Sequence, residues 1–329
     1  MNLQMGTAAS MKNQGRSSFR LRQEYGIGLL LLIGFPFFFV GGPGYHAARS
    51  FKSAWDLGHI LFFFLSTRLF LLHAAKRRGN KRSRFLFFKI CASVFVLGVL
   101  IELIQKALGG RTVDGWDVYR DLLGCVSAYI ASELFPVANR SFILPAIVVS
   151  LLLIAASWPL LRSLADENIA RRQFPVLADF ETPFEQNRFS PGSRVQREKE
   201  VASHGRFSLR IQLTTATYSG ASLFYFLHDW RGYNYLNFSM YNPGKKDLSL
   251  HCRIHDIHHL QHGMRFSDRF HRLFVLHSGW NQCQVSLAAV RTAPATRRMD
   301  MAHIQSFAFF VIRQPRPHVI YMDNIYLGR

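Results

Sequence analysis

Two regimes of hydrophobic patterning meet near residue 164. Before it the chain runs through five almost continuous apolar stretches separated by short polar loops: Gly26–Gly42, Leu57–His73, Phe85–Ile104, Val118–Phe135 and Phe142–Leu164. Each is 17 to 23 residues long, about what a helix needs to cross roughly 30 Å of hydrocarbon. Backbone groups in lipid find no water, so such stretches are helical. The pattern predicts five membrane spans, the first interrupted by Pro36; five runs packed so closely argue against buried core helices of a soluble protein. After residue 164 the period changes to two. Strands are expected at Ser208–Leu213, Ser222–His228, Tyr235–Tyr241, Leu248–His255, Arg272–His277, Gln282–Leu287, Ile304–Ile312 and Val319–Leu327. Turns fall at Asn242-Pro243-Gly244 and Ser278-Gly279. Eight such strands point to an all-β sandwich of jelly-roll type. The organisation read from this is an N-terminal segment (1–25), an α-helical transmembrane domain (26–164), a polar linker (165–176) and the sandwich (177–329).

Composition sharpens this division. The 329 residues hold 40 Lys+Arg against 20 Asp+Glu, a formal charge of +20, with 49% hydrophobic residues and 30 Phe. A disordered chain is excluded. The basic excess sits where topology needs it. Lys12, Arg16, Arg20, Arg22, Lys76, Arg77, Arg78, Lys81, Arg82, Arg84 and Arg140 lie on one side of the predicted spans, against Arg49, Lys52, Lys106 and Arg111 on the other. Positive charge marks the cytoplasmic side, so the N-terminus is expected inside and the sandwich outside. Anionic lipid, not nucleic acid, is then the partner of the basic charge. A cleaved signal peptide is the weaker reading of the first run, because Gly41–Gly44 offers no small-residue cleavage site.

Polar residues appear where lipid forbids them. Asp56 and His59 begin the second run, Glu102 and Gln105 end the third, and a loop with Arg111 and Asp114 leads to Asp117, Asp121 and Gly124 on one face of the fourth. In the expected topology all converge at the extracytoplasmic boundary. A charge inside a membrane helix costs about 2.5–3.5 kcal/mol on insertion scales, so it is normally paired or functional. Three readings stand open: a salt-bridge network tying helices together, a site for a polar lipid head group, or a catalytic centre with His59, Glu102 and Asp117 as acid and base.

On these residues the chain resembles the VanZ-like family of bacterial membrane proteins. Asp56-Leu57-Gly58-His59, Glu102-Leu103-Ile104-Gln105, Arg111, Asp114, Asp117 and Gly124 carry the likeness, over about residues 25–135. The family usually has Asn where this chain has Asp121, so a carboxylate here changes the chemistry or carries a proton. The resemblance implies a place in the bacterial cytoplasmic membrane and a role at the cell envelope. Its best-known member is associated with low-level glycopeptide-antibiotic resistance.

In the second half, alternation sends Tyr235, Asn237, Ser239 and Tyr241 outward from one strand and Ser249, His251, Arg253 and His255 outward from the next. If those strands pair, aromatic faces and planar hydrogen-bonding groups share one sheet face, which suits a sugar; an ordinary solvated face is the plainer alternative. His251, His255, His258, His259 and His262 are dense enough to raise zinc, with solvated or sugar-contacting histidines as the other reading. Cys252 and Cys283 both alternate inward, where a disulfide is permitted if their strands adjoin; Cys91 and Cys125 read as packing residues. No phosphate-binding loop, nucleophile elbow, H-E-x-x-H or Rossmann fingerprint occurs. This half resembles the galactose-binding-like jelly rolls that include carbohydrate-binding modules. The likeness rests on Asp179-Phe180-Glu181, Arg253-Ile254-His255-Asp256, Asp268-Arg269-Phe270, Gly279-Trp280-Asn281, Arg298-Met299-Asp300 and Tyr321-Met322-Asp323-Asn324. It implies a structural calcium at Glu181 and Asp323. The function expected is recognition of an envelope glycan or its lipid-linked precursor, with a membrane-embedded hydrolase or transferase and a structural envelope protein as alternatives.

Overall fold

A computed structural model describes residues 21–44, 46–78, 84–108, 114–134 and 140–329. The chain divides into two compact units, Met1–Leu161 and Arg162–Arg329.

In the first unit, helix α1 covers residues 21–34 and gives way to a 3-10 turn at Phe35–Phe38. Pro36 causes the change, since it has no N–H to continue the ladder. Helices α2 (Arg49–Arg78), α3 (Arg84–Ala107), α4 (Gly115–Leu134) and α5 (Ile143–Gln173) follow. Five spans are not supported. Among the described residues three helical segments are long and apolar enough to cross a membrane, Arg49–Ala75, Phe85–Ala107 and Arg140–Gln173. The fourth run, expected as a span, is α4, and it carries Asp117, Arg120, Asp121 and Glu133. It tolerates them because it is the interior helix. Cys125 and Tyr129 pack with Phe63 and Leu71 of α2 and Ile90, Val94 and Ile101 of α3. Leu123 and Ile130 pack with Ile60 of α2 and Val149 of α5. A helix enclosed by other helices has no need of a lipid-like surface. Gly124 permits the close approach: a Cβ there would lie 2.3 Å from the Ile60 carbonyl oxygen. By contrast α5 exposes Ile143, Leu144, Ile147, Leu151, Ile154, Trp158 and Leu161.

Most of the linker expected at 165–176 is helical. α5 runs without a break to Gln173, and strand β1 (Val176–Ala178) begins three residues later. The reason is Asp166. Its carboxylate receives Nε and Nη2 of Arg188 at 2.7–3.1 Å, and Arg188 also donates to the Leu177 carbonyl oxygen at 2.6 Å. Both side chains are fully buried.

The rest of the second unit is an antiparallel sandwich of jelly-roll type. β2 (Val195–Glu198), β3 (Ser208–Leu213), β10 (His318–Gly328), β5 (Tyr235–Asn242) and β8 (Gly279–Ser286) form one sheet in that order, with β1 also on β10. β4 (Tyr218–Leu223), β9 (Ile304–Ile312), β6 (Leu248–Asp256) and β7 (Phe270–Leu276) form the other. Leu209, Ile211, Leu236, Phe238, Met240, Val285, Ile320 and Met322 of the first sheet share one core with Leu223, Leu250, Cys252, Ile254, Phe307, Phe309 and Val311 of the second. The expected strands are present with two changes. The run expected at Ser222–His228 ends at Leu223, because the Phe224 and Tyr225 N–H groups turn to the Arg188 carbonyl oxygen. β1 and β2 were not anticipated.

Removing one partner of a buried ion pair leaves an uncompensated charge, which costs roughly 3–5 kcal/mol. Asp166→Asn is therefore expected to lower the unfolding free energy of the second unit by that amount in urea titrations of the full chain read by near-ultraviolet circular dichroism. A loss below about 1 kcal/mol, the range of exposed pairs, would contradict the assignment.

Candidate functional site

The polar residues of the first unit come together as the sequence implied, around two centres. His59 of α2 stands between two carboxylates of α4: Nδ1 is 2.9 Å from Asp121 Oδ1 and Nε2 is 3.6 Å from Asp117 Oδ2. Asp121 is buried because Gly98 of α3 leaves room for it; a Cβ at that glycine would lie 2.6 Å from Asp121 Oδ2. The second centre is Arg120, which hydrogen-bonds Asp117 and lies 3.5 Å from Asp56 Oδ2 and 3.7 Å from Asp114 Oδ2. Sequence reasoning missed Arg120, although its i+3 spacing from Asp117 was visible. Glu102 accepts the Asp114 N–H at 2.8 Å through Oε2, while its buried Oε1 has no hydrogen-bond partner among the described residues. Gln105 donates to the Phe38 carbonyl oxygen at 2.7 Å. Arg111 lies outside the described residues. The Phe38 ring meets His59 edge-on at 4.9 Å. Both residues line an apolar cleft of about 510 Å³ with Phe37, Phe51, Trp55 and Phe62.

The sugar face expected in the second unit is divided. β5 and β6 do not pair; they belong to different sheets. Tyr235, Asn237 and Tyr241 look out from the six-stranded sheet, where Tyr241 packs against Trp280 and Asn237 accepts from Gln284. His251, Arg253 and His255 look out from the four-stranded sheet. The alternation read from sequence was right, and the pairing that would have joined the two sets was not.

On the four-stranded sheet, neighbouring rings form a ladder across all four strands. Tyr218 of β4 meets Phe310 of β9 at 5.8 Å, and Phe310 stacks on His251 of β6 at 5.3 Å and 13°. His251 stacks on His271 of β7 at 5.1 Å, with Nδ1 and Nε2 2.9 Å apart, and Phe266 closes the row at 5.1 Å from His271. Burial lowers the pKa of both histidines, with His251 and Arg269 adding to the effect at His271. Below their ordinary value near 6.5 they are neutral rings at pH 7. Beside the ladder lies a groove of about 400 Å³ lined by Arg253, Arg269, Ser190, Ser193, Ser222 and Phe310. Small outward residues open it. Gly220 is required, since a Cβ there would lie 2.0 Å from the Phe309 carbonyl oxygen. Phe310 was hidden from sequence reading inside the apolar run Phe307–Ile312; only its parity, opposite to the buried Phe307 and Phe309, marks it as outward.

The dense histidines have a different explanation from zinc. Arg297 bridges Asp256 and Asp268, donating to Asp268 Oδ1 at 2.7 Å and Oδ2 at 2.9 Å and to Asp256 Oδ1 at 2.8 Å. His259 Nδ1 lies 3.1 Å from Asp268 Oδ2, and His262 and His258 reach Asp268 and Asp300. No group of three or more His, Cys, Asp or Glu placed to hold a metal occurs among the described residues. The calcium implied at Glu181 and Asp323 does not fit this donor set. Glu181 Oε1 accepts the N–H groups of Arg206 and Phe207, and Asp323 Oδ2 those of Ser203 and His204. Both carboxylates fasten the 203–207 loop. Cys252 and Cys283 are free, in opposite sheets; burial pushes the Cys283 thiol up to about 12 and raises Cys252 as well. Cys91 and Cys125 are also free, with sulfurs 3.9 Å apart between α3 and α4.

No family model matches the chain. No curated protein matches it. Solved structures similar to it align with about half of the chain. One is a family 11 carbohydrate-binding module from Clostridium thermocellum in complex with a β-1,3-1,4-mixed-linked tetrasaccharide, at 17% identity and TM-score 0.35, covering 46% of this chain and 94% of that one. A family 30 carbohydrate-binding module from the same organism gives 16% identity and TM-score 0.30, over 42% and 84%. An exo-β-agarase gives 14% identity and TM-score 0.37, over 46% of this chain and 24% of its own.

Acid should act on the Arg297 cluster in a defined direction. The Arg297 hydrogen bonds hold Asp268 well below the usual carboxylate range; at Asp256 burial pushes upward and Arg297 overcomes it, so that carboxyl also is lowered. Carboxyls depressed in the folded state stabilise it above their unfolded pKa, about 3.9, and that contribution is lost as pH falls below it. Melting curves of the full chain from neutral pH downward are expected to show this loss. In Arg297→Met the two carboxylates face each other without a cation, and mild acid is expected to raise the melting temperature instead. A wild-type-like acid profile in that variant would contradict the bridging role.

Proposed function

We propose that this is an envelope protein anchored in the bacterial cytoplasmic membrane, whose second unit recognises an envelope glycan or its lipid-linked precursor on the outer face of the four-stranded sheet. The ring ladder from Tyr218 to Phe266 beside the Arg253–Arg269 groove carries the reading. Sugars present C–H faces that stack on neutral rings and hydroxyls that take guanidinium and serine partners, and all three kinds of group adjoin here. The VanZ-like residues support a place for the first unit in the membrane, in contact with lipid. Over the five crossings read from the sequence, the loop charges favour a cytoplasmic N-terminus and an extracytoplasmic second unit.

A membrane-embedded hydrolase or transferase is the second reading. It is favoured by one observation, the imidazole of His59 between two carboxylates with the buried Glu102 nearby. Glu102→Gln separates the two: if the cluster is catalytic, turnover of a polyprenyl-phosphate-linked sugar is lost while saccharide binding remains.

The direct test of recognition is binding of the detergent-solubilised full chain to an array of bacterial envelope glycans. Phe310→Ala and His251→Ala are each expected to weaken binding about tenfold, equal to about 1.4 kcal/mol, with Tyr241→Ala unchanged. Loss in Tyr241→Ala alone would move the site to the six-stranded sheet, and a folded chain that binds no glycan would remove the reading.

A further inference from the structure

We infer that the groove on the four-stranded sheet is built for a sugar carrying an anionic substituent, a carboxylate or a phosphate ester, with Arg269 and Arg253 taking the anion while the ring stacks on Phe310. This rests on the glycan reading above and narrows its ligand class.

The observation that carries it is Arg269. Its Nε is buried and has no hydrogen-bond partner, and no ion pair among the described residues includes it. Its guanidinium lies over the Phe266 ring at 5.1 Å. Three other arginines of this unit show how such a group is met from within the chain: Arg188 by Asp166, Arg297 by Asp256 and Asp268, and Arg197 by the carbonyl oxygens of Phe180 and Glu181. A buried donor without an acceptor is costly, the more so on a charged group. Arg269 carries that cost on the wall of an open groove, where an incoming acceptor can meet it.

Three features decide the kind of acceptor. The residues lining the groove include two arginines and no Asp or Glu, so its charge is positive. A guanidinium binds carboxylate or phosphate through two parallel N–H bonds, a geometry that single hydroxyls do not match. The groove is also too structured for a bare ion: its hydroxyl wall, with Ser190 and Ser193 2.7 Å apart, and its Phe310 edge suit a polyol attached to the anion. Its volume of about 400 Å³ falls in the range of small-molecule sites, roughly 300–1,000 Å³. Burial lowers the Arg269 pKa from its ordinary value, as expected of a guanidinium awaiting a counter-charge.

The test is calorimetric titration of the detergent-solubilised full chain near physiological salt with four probes: trigalacturonate, its fully methyl-esterified form, mannose 6-phosphate and inorganic phosphate. At least one of the two acidic sugars is expected to bind about tenfold or more tightly than the ester, and which one does so tells carboxylate from phosphate. Arg269→Gln is expected to abolish that preference and leave the weaker ester binding, which Phe310→Ala removes. Should Arg269→Gln fail to fold, the acid-to-ester ratio of the unaltered chain still decides. Ester and acids bound equally would overturn the anionic inference and leave glycan recognition standing. Inorganic phosphate bound as tightly as the sugars would reduce the groove to a simple anion site and overturn the inference too. Failure of every saccharide would instead strike at glycan recognition itself.

Discussion

A guanidinium taken out of water must find oxygen, and that constraint organises both units. Arg188 finds Asp166 and the Leu177 carbonyl, and in doing so fastens the last turns of α5 to the first strand of the sandwich. Arg297 finds Asp256 at the end of β6 and Asp268 before β7, and so fixes the loops where the histidines gather. Arg120 finds three carboxylates at the ends of α2 and α4. Ion pairs of this kind need not add net stability, because desolvation offsets their attraction. What they do is make wrong arrangements expensive. Arg269, on the wall of the groove, has an Nε that no acceptor among the described residues meets.

The sandwich presents two outer faces of different character. On the six-stranded sheet the outward side chains are engaged with one another: Tyr241 with Trp280 and Tyr321, and Asn237 with Gln284. On the four-stranded sheet the rings stack in a row and leave a cleared space beside them, opened by Gly220 and Ala308. That difference comes from strand order. β9 lies between β4 and β6, which sets Phe310 opposite His251 and Gly220 in register. No single strand carries the platform.

Local patterns were legible in the sequence, and long-range ones were not. Alternation correctly divided β5 and β6 into inward and outward residues, because a period of two is a property of the strand alone. Which strands adjoin depends on the whole topology, so Tyr241 and Arg253 were joined on one face when they lie on opposite sheets. The convergence of His59, Asp117 and Asp121 was readable from helical spacing, but the role of Arg120 required knowing that α4 is interior. For the same reason the fourth run reads as a span from sequence: apolar length does not distinguish a helix sheathed by lipid from one sheathed by protein. That residues 165–173 are helical was not legible in the sequence, because the partner of Asp166 lies 22 positions away. β1 and β2, at three and four residues, are too short for alternation to register.

Hydrogen–deuterium exchange of the full chain, with and without a saturating acidic oligosaccharide, addresses the central claim most directly, because it reads both sheet faces in one experiment. Recognition on the four-stranded sheet predicts that added protection concentrates in peptides covering 218–222, 251–255, 266–271 and 308–312, with 235–241 and 280–284 unchanged. Protection confined to the six-stranded sheet, or to the helices around His59, would contradict it.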